Sequence, residues 1–247
     1  MKSTMLVGAL TGALLLAVPG SAFASHENTL MNVNFGTNLK SRNAGTKANP
    51  NPSNLNLELT QTTRSGTGQP ETSTDLNIVL PKQLRFMGRS WPRRLRCNPQ
   101  RANQARSDSA CPRNSRIGTG HVTATGGDGA FVEEIDVRAY VTTGGDLGLW
   151  LSATAPLPIS EMLVGEVSRG RRIEVGIPTN IQEPLTGVKS SIRRLQFGLN
   201  KTVRVNGEPT GVVQSIGCPA NRRWLLAFTN VYQHGSTTDS DTSRCRP

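Results

Sequence analysis

Aromatic side chains are scarce, at 4% of the chain, and histidine is scarcer, with only His26, His121 and His234. No Cys-x-x-Cys spacing occurs, so these few histidines have no thiolate pair to join in a zinc site, and no other metal or cofactor spacing is visible. A G-x-S-x-G nucleophile elbow is also missing. Only one long apolar run exists, which excludes a multi-span membrane protein. Glycine (25) and proline (15) are too common, and charged residues (18%) too few, for a coiled coil. Acid is in short supply: 17 Asp+Glu face 28 Lys+Arg, for a formal charge of +11 over 247 residues.

The single apolar run extends from Met5 to Val18 behind Lys2. Pro19-Gly20 breaks it and Ala22-Phe23-Ala24 follows, the pattern of a secretory signal peptide over residues 1–24, cleaved after Ala24. The mature chain then has 223 residues, a charge of +10 and no transmembrane segment, enough for one domain. All four cysteines, Cys97, Cys111, Cys218 and Cys245, lie in it. An even count in an exported chain reads as two disulfides. Three pairings are open; Cys97–Cys111 with Cys218–Cys245 closes the shortest loops and is favoured on that ground.

Residues 25–53 are Asn-rich and carry few apolar side chains to offset the entropy of ordering them, so a disordered tail is expected there. Leu30, Val33 and Phe35 nonetheless have the spacing for one short strand. Residues 54–247 read as an all-β domain, an antiparallel β-sandwich. Leu55, Leu57 and Leu59 alternate with polar neighbours, and short strands recur at 76–80, 121–125, 131–142, 147–154, 162–168, 172–177, 193–199, 202–205 and 224–233. The best helix candidate, Pro99 to Arg106, lies inside the Cys97–Cys111 loop. The near-repeats Thr125-Gly126-Gly127-Asp128-Gly129 and Thr143-Gly144-Gly145-Asp146-Leu147 read as hairpin turns. A three-residue loop at the second would set Val141 opposite Leu149. It would also set Tyr140 opposite Trp150 on the outer face, under a neighbouring loop or as a ligand platform.

Charge is concentrated. Between Lys82 and Arg116 lie ten bases and one acid, Asp108, a net of +9. Arg85, Arg89, Arg93, Arg94, Arg96, Arg101, Arg106, Arg113 and Arg116 are the candidate polyanion-binding residues, since the planar guanidinium fork suits phosphate and carboxylate. Smaller pairs occur at Arg171-Arg172, Arg193-Arg194 and Arg222-Arg223. The partner expected for an exported chain is an anionic cell-wall polymer or an anionic lipid surface; a merely solvated face is the competing reading. Nucleic acid is disfavoured as native partner, because no aromatic-interleaved RNA motif and no helix-turn-helix pattern is present. The densest acidic group is Glu133-Glu134-Asp136, with Glu134 and Asp136 on the solvent face of a strand and balanced by Arg138. Two functions follow: a non-enzymatic exported binder, or a hydrolase of cell-wall or extracellular polymer with an unrecognised active site.

The run Leu80-Pro81-Lys82-Gln83-Leu84-Arg85-Phe86, then Trp91-Pro92, Cys97 and Cys111-Pro112-Arg113-Asn114-Ser115-Arg116-Ile117-Gly118-Thr119-Gly120, forms one pattern. With Trp224 to Phe228, Tyr232, Gly235 and Cys245, it resembles a group of uncharacterised secreted actinobacterial proteins. The resemblance spans most of 55–245 and implies a β-rich exported domain with two local disulfides and no assigned activity. The Arg93-Arg94-Leu95-Arg96 run departs from that pattern.

Overall fold

In the computed structural model of the chain, residues 28–40 and 43–246 are described. The expected signal peptide, residues 1–24, lies outside the described residues. Fifteen strands follow in chain order: β1 Thr29–Leu39, β2 Asn51–Thr63, β3 Ser73–Val79, β4 Leu84–Phe86, β5 Arg116–Gly126, β6 Phe131–Val141, β7 Leu147–Ala153 and β8 Ile159–Ser168. Then come β9 Arg172–Gly176, β10 Ser190–Leu199, β11 Thr202–Val205, β12 Glu208–Gly211, β13 Val213–Ser215, β14 Arg223–Tyr232 and β15 Gly235–Arg244. Two short helices, α1 Pro99–Ala105 and α2 Thr179–Gln182, interrupt them. The all-β antiparallel class stands; β11 and β12 pair apart as a two-stranded sheet, and one 13-stranded sheet forms the body of the sandwich.

That sheet runs β15-β14-β3-β9-β8-β7-β6-β5-β10-β2, and β1 continues it beyond β2. Its two ends meet. The Val33 amide donates to Oδ2 of Asp239 (2.9 Å), the Phe35 amide to Oδ2 of Asp241 (2.8 Å) and the Thr37 amide to Oγ of Ser243 (3.2 Å). Both partners advance together along the chain, so β1 and β15 run parallel at this seam. Side-chain acceptors there take the place of backbone carbonyls. The other oxygen of each aspartate accepts the next amide of its own strand, Ser240 and Thr242. Closure leaves neither long edge open for pairing with another chain.

This corrects the expected tail. Residues 29–39 are a full strand, with Val33 and Phe35 buried and every residue of β1 in register with β2. The asparagines that suggested disorder sit at the outward positions 32, 34 and 38, while apolar or small residues at 33, 35 and 37 face inward. The short strand suggested by Leu30, Val33 and Phe35 is present and extends over the whole of β1, with Val33 and Phe35 inward and Leu30 outward.

The interior is filled by alternation along most strands of the main sheet: Leu55, Leu57 and Leu59 on β2, Val137, Ala139 and Val141 on β6, Leu195, Phe197 and Leu199 on β10. The β6–β7 turn differs from expectation in one respect. Val141 pairs with Leu147, Tyr140 with Gly148 and Arg138 with Trp150, each partner two positions earlier in β7 than expected, because the three-residue loop is Thr143-Gly144-Gly145 rather than Gly144-Gly145-Asp146. Thr142 takes a backbone bond from its own amide to Asp146 O, and Gly145 adopts positive φ (88°). The shift is an even number, so the same side chains still face the core.

Candidate polyanion-binding surface

At one end of the closed sheet, β1, β3, β6, β8, β10 and β15 finish while β2, β5, β7, β9 and β14 begin. The segment from Leu80 to Ser115 crosses this end, because β3 and β5 are not neighbours. It is anchored, not loose. Leu80, Leu84, Phe86 and Trp91 belong to the main core, and β4 pairs with β13, which takes up the first residues of β2 where β10 stops. Gly88 lies so close to the β6–β7 turn that a Cβ there would stand 1.9 Å from Gly145 O. The Cys97 amide bonds Val141 O and the Thr143 amide bonds Cys97 O.

Both favoured disulfides are present, Cys97–Cys111 and Cys218–Cys245. The first closes a loop of 14-residue separation, worth on the order of 3 kcal/mol by restricting the unfolded chain. Inside it, α1 starts at Pro99 behind Asn98, whose side chain accepts from the Arg101 amide. The helix lies on the outer face of β8. Asn103 accepts from the Met162 amide (2.7 Å) and donates to Met162 O (3.2 Å), imitating a strand neighbour. Under it a second small core gathers Cys97, Ala102, Cys111, Tyr140, Trp150 and Met162. Tyr140 and Trp150 are therefore buried beneath a loop, not a ligand platform.

Asp108, the single acid of the segment, is occupied. Arg138 donates to both of its oxygens (3.0 and 2.9 Å) and the Tyr140 hydroxyl to one (2.6 Å). Burial alone would raise the Asp108 pKa; the hydrogen bonds from Tyr140 and Arg138 outweigh it and hold the carboxyl below its usual range. Burial, then the Asp108 hydrogen bond, pushes the Tyr140 phenol up. Arg138 therefore pairs with Asp108, and not with Glu134 and Asp136 as the sequence reading expected. Those two flank His121 instead, at 2.5 Å from Nε2 and 3.7 Å from Nδ1. His234 is turned to Glu71 (3.3 Å).

A folded-state pKa held low means that Asp108 stabilises docking of the segment above the ordinary carboxylate range. The contribution fades as pH falls through the lowered value. Asp108→Asn is expected to cost about 1–2 kcal/mol near neutral pH in urea unfolding, and the difference between wild type and variant should shrink as pH falls through the lowered Asp108 value. A constant difference at every pH would contradict the charge-based anchor.

The nine candidate arginines divide in two. Arg85 and Arg96 are half-buried and spent on carbonyls: Arg85 on Lys82 O and Leu84 O, Arg96 on Trp91 O, Arg89 O and Thr143 O. They hold the segment's shape. Arg89, Arg93, Arg94, Arg101, Arg106, Arg113 and Arg116 are exposed, and among the described residues their guanidinium groups make no hydrogen bond or ion pair.

Sequence distance concealed further members. Arg169, Arg171 and Arg172 sit at the β8–β9 turn, where the Gly170 carbonyl accepts from the Phe86 amide. Burial, then the nearby Arg171, lowers the Arg85 pKa. Lys40 reaches Asn200 O and Thr202; burial, then Lys201, lowers its pKa. Lys40, Arg244 and Arg246 also line one cleft beside Trp224, with no acid in its wall. Arg223 opens β14 at this same end, with Arg222 immediately before it. The Arg193-Arg194 pair does not join them: Arg193 bonds Thr125 and Gly68 O, and Arg194 pairs with Glu58 at 2.7 Å.

No family model, curated protein or solved structure matches this chain.

Proposed function

We propose that this is an exported protein of the cell envelope or its surroundings that binds an anionic polymer, non-enzymatically, through its basic end. One observation carries the reading. Bases from the β3–β5 crossover, the β8–β9 turn, the start of β14 and the ends of β1 and β15 converge on one end of the sheet. The acid within the crossover is consumed internally by Arg138 and Tyr140. A field of one sign raises the local concentration of a polyanion and steers its approach. The exposed Arg forks of the crossover then meet phosphate or carboxylate groups without first breaking internal ion pairs, whereas Arg172 of the β8–β9 turn faces Glu174 at 3.7 Å. Export is supported by the signal-like residues 1–24, by the resemblance to secreted actinobacterial proteins and by two disulfides, which persist in oxidising compartments.

The disulfide-bonded chain should be retained on immobilised polyphosphate and on polyglutamate and should pass through a neutral polysaccharide. Anionic lipid vesicles form the third arm, separating a polymer from a membrane surface. Equal passage through all supports would overturn the proposal.

A further inference from the structure

At the end of the sheet opposite the basic surface lies an almost wholly apolar cavity of about 80 Å³. Its wall comes from the inward faces of β3 and β5–β10, and Ile181 and Pro184 of the β9–β10 connection close it. Glu133, at the start of β6, lines this cavity and is 3% exposed. Its Oε2 accepts the Leu157 amide at 3.0 Å, whereas Oε1 is buried without a partner.

We propose that this cavity binds a small, unbranched aliphatic amine, with the ammonium on Glu133 Oε1 and the alkyl chain against the apolar wall. The proposal is independent of polymer binding. Three observations converge on that chemistry. First, a buried carboxylate oxygen with no donor is costly, and a cation removes the cost better than a neutral donor does. Among the described residues no Lys, Arg or His pairs with Glu133. Second, the other polar groups of the wall are committed. Ser73 accepts from Asn230, Thr125 from Arg193, Gln182 donates to Ile177 O and Ser190 to Ile181 O. Glu133 Oε1 is the one buried side-chain polar atom of the wall left without a partner among the described residues, and its sign selects cations. Third, the volume falls below the roughly 150 Å³ of an engineered apolar cavity that admits benzene, which points to a short chain rather than a ring. The competing occupant is ordered water hydrogen-bonded to Oε1.

Three probes of matched length separate these readings: n-butylamine, n-butanol and butyrate, added to the folded, disulfide-bonded chain. Near-saturating butylamine is expected to raise the melting temperature by about 2–4 °C, butanol less and butyrate not at all. Glu133→Gln should erase the preference of amine over alcohol. Ala124→Leu, which fills the cavity from β5, should abolish every shift. No shift with any probe, or butyrate equal to butylamine, would overturn the proposal and leave water as the occupant. A butylamine shift that persists in Ala124→Leu would overturn it as well, by placing the effect on the surface. Should either variant fail to fold, the ranking of the three probes on the wild-type chain decides alone.

Discussion

A chain that begins at residue 41 is expected to lose its cooperative thermal transition. Removing β1 strips the interior of Val33 and Phe35, each worth about 1.5–3 kcal/mol of burial. It also frees the full edge of β2 that paired residue for residue with β1, and it leaves Asp239 and Asp241 without their amide donors. Against a typical total stability of about 5–15 kcal/mol, losing a strand from a closed sheet removes most or all of the margin. Circular dichroism during heating checks this. An unchanged melting temperature would mean that β1 is dispensable and that the seam does not close the sheet.

The same strand shows where sequence reading reaches and where it stops. Most strands were legible because one side faces a common core, and Leu55-Leu57-Leu59 or Leu147-Leu149-Leu151 announce a period of two. β15 was not legible. Its sequence, Gly-Ser-Thr-Thr-Asp-Ser-Asp-Thr-Ser-Arg, has no apolar alternation. It is a strand because β14 supplies its ladder on one side and its aspartates cap β1 on the other, partners set by tertiary closure. The disulfides were legible from loop length and the position of α1 from Pro99. The basic segment was legible as charge, but its internal division was not. Nothing local distinguishes Arg96, which grips three carbonyls, from Arg93 and Arg94 beside it, because the carbonyl of Thr143 belongs to a distant turn. Arg171 likewise meets Arg85 only through the fold.

That division sets the second large effect. Replacing Arg89, Arg93, Arg94 and Arg113 together with Gln should lower affinity for a phosphate polymer by about a hundredfold or more at low salt, since each released contact removes counterion release. Their side chains hold nothing else in place, so melting temperature should stay within the small range of ordinary surface changes. Arg96→Gln should do the reverse. It orphans the carbonyls of Trp91 and Arg89 and lowers stability by about 1–3 kcal/mol, with a smaller effect on binding to the chain that remains folded. The two variants, compared by retention and by urea unfolding, separate binding from support. A quadruple variant that binds normally and melts normally would return those arginines to solvent.

The central claim is that fixed positive charges at one end of the sheet compete with mobile ions for a polyanion. The measurement that bears on it most directly is the affinity for polyphosphate as a function of salt, for wild type and the four-arginine variant. The account predicts a straight line of log affinity against log salt for each, with the variant's slope shallower by about 3, from roughly 0.7 per neutralised charge on a single-stranded polyanion. A wild-type affinity insensitive to salt, or two lines of equal slope, would contradict it.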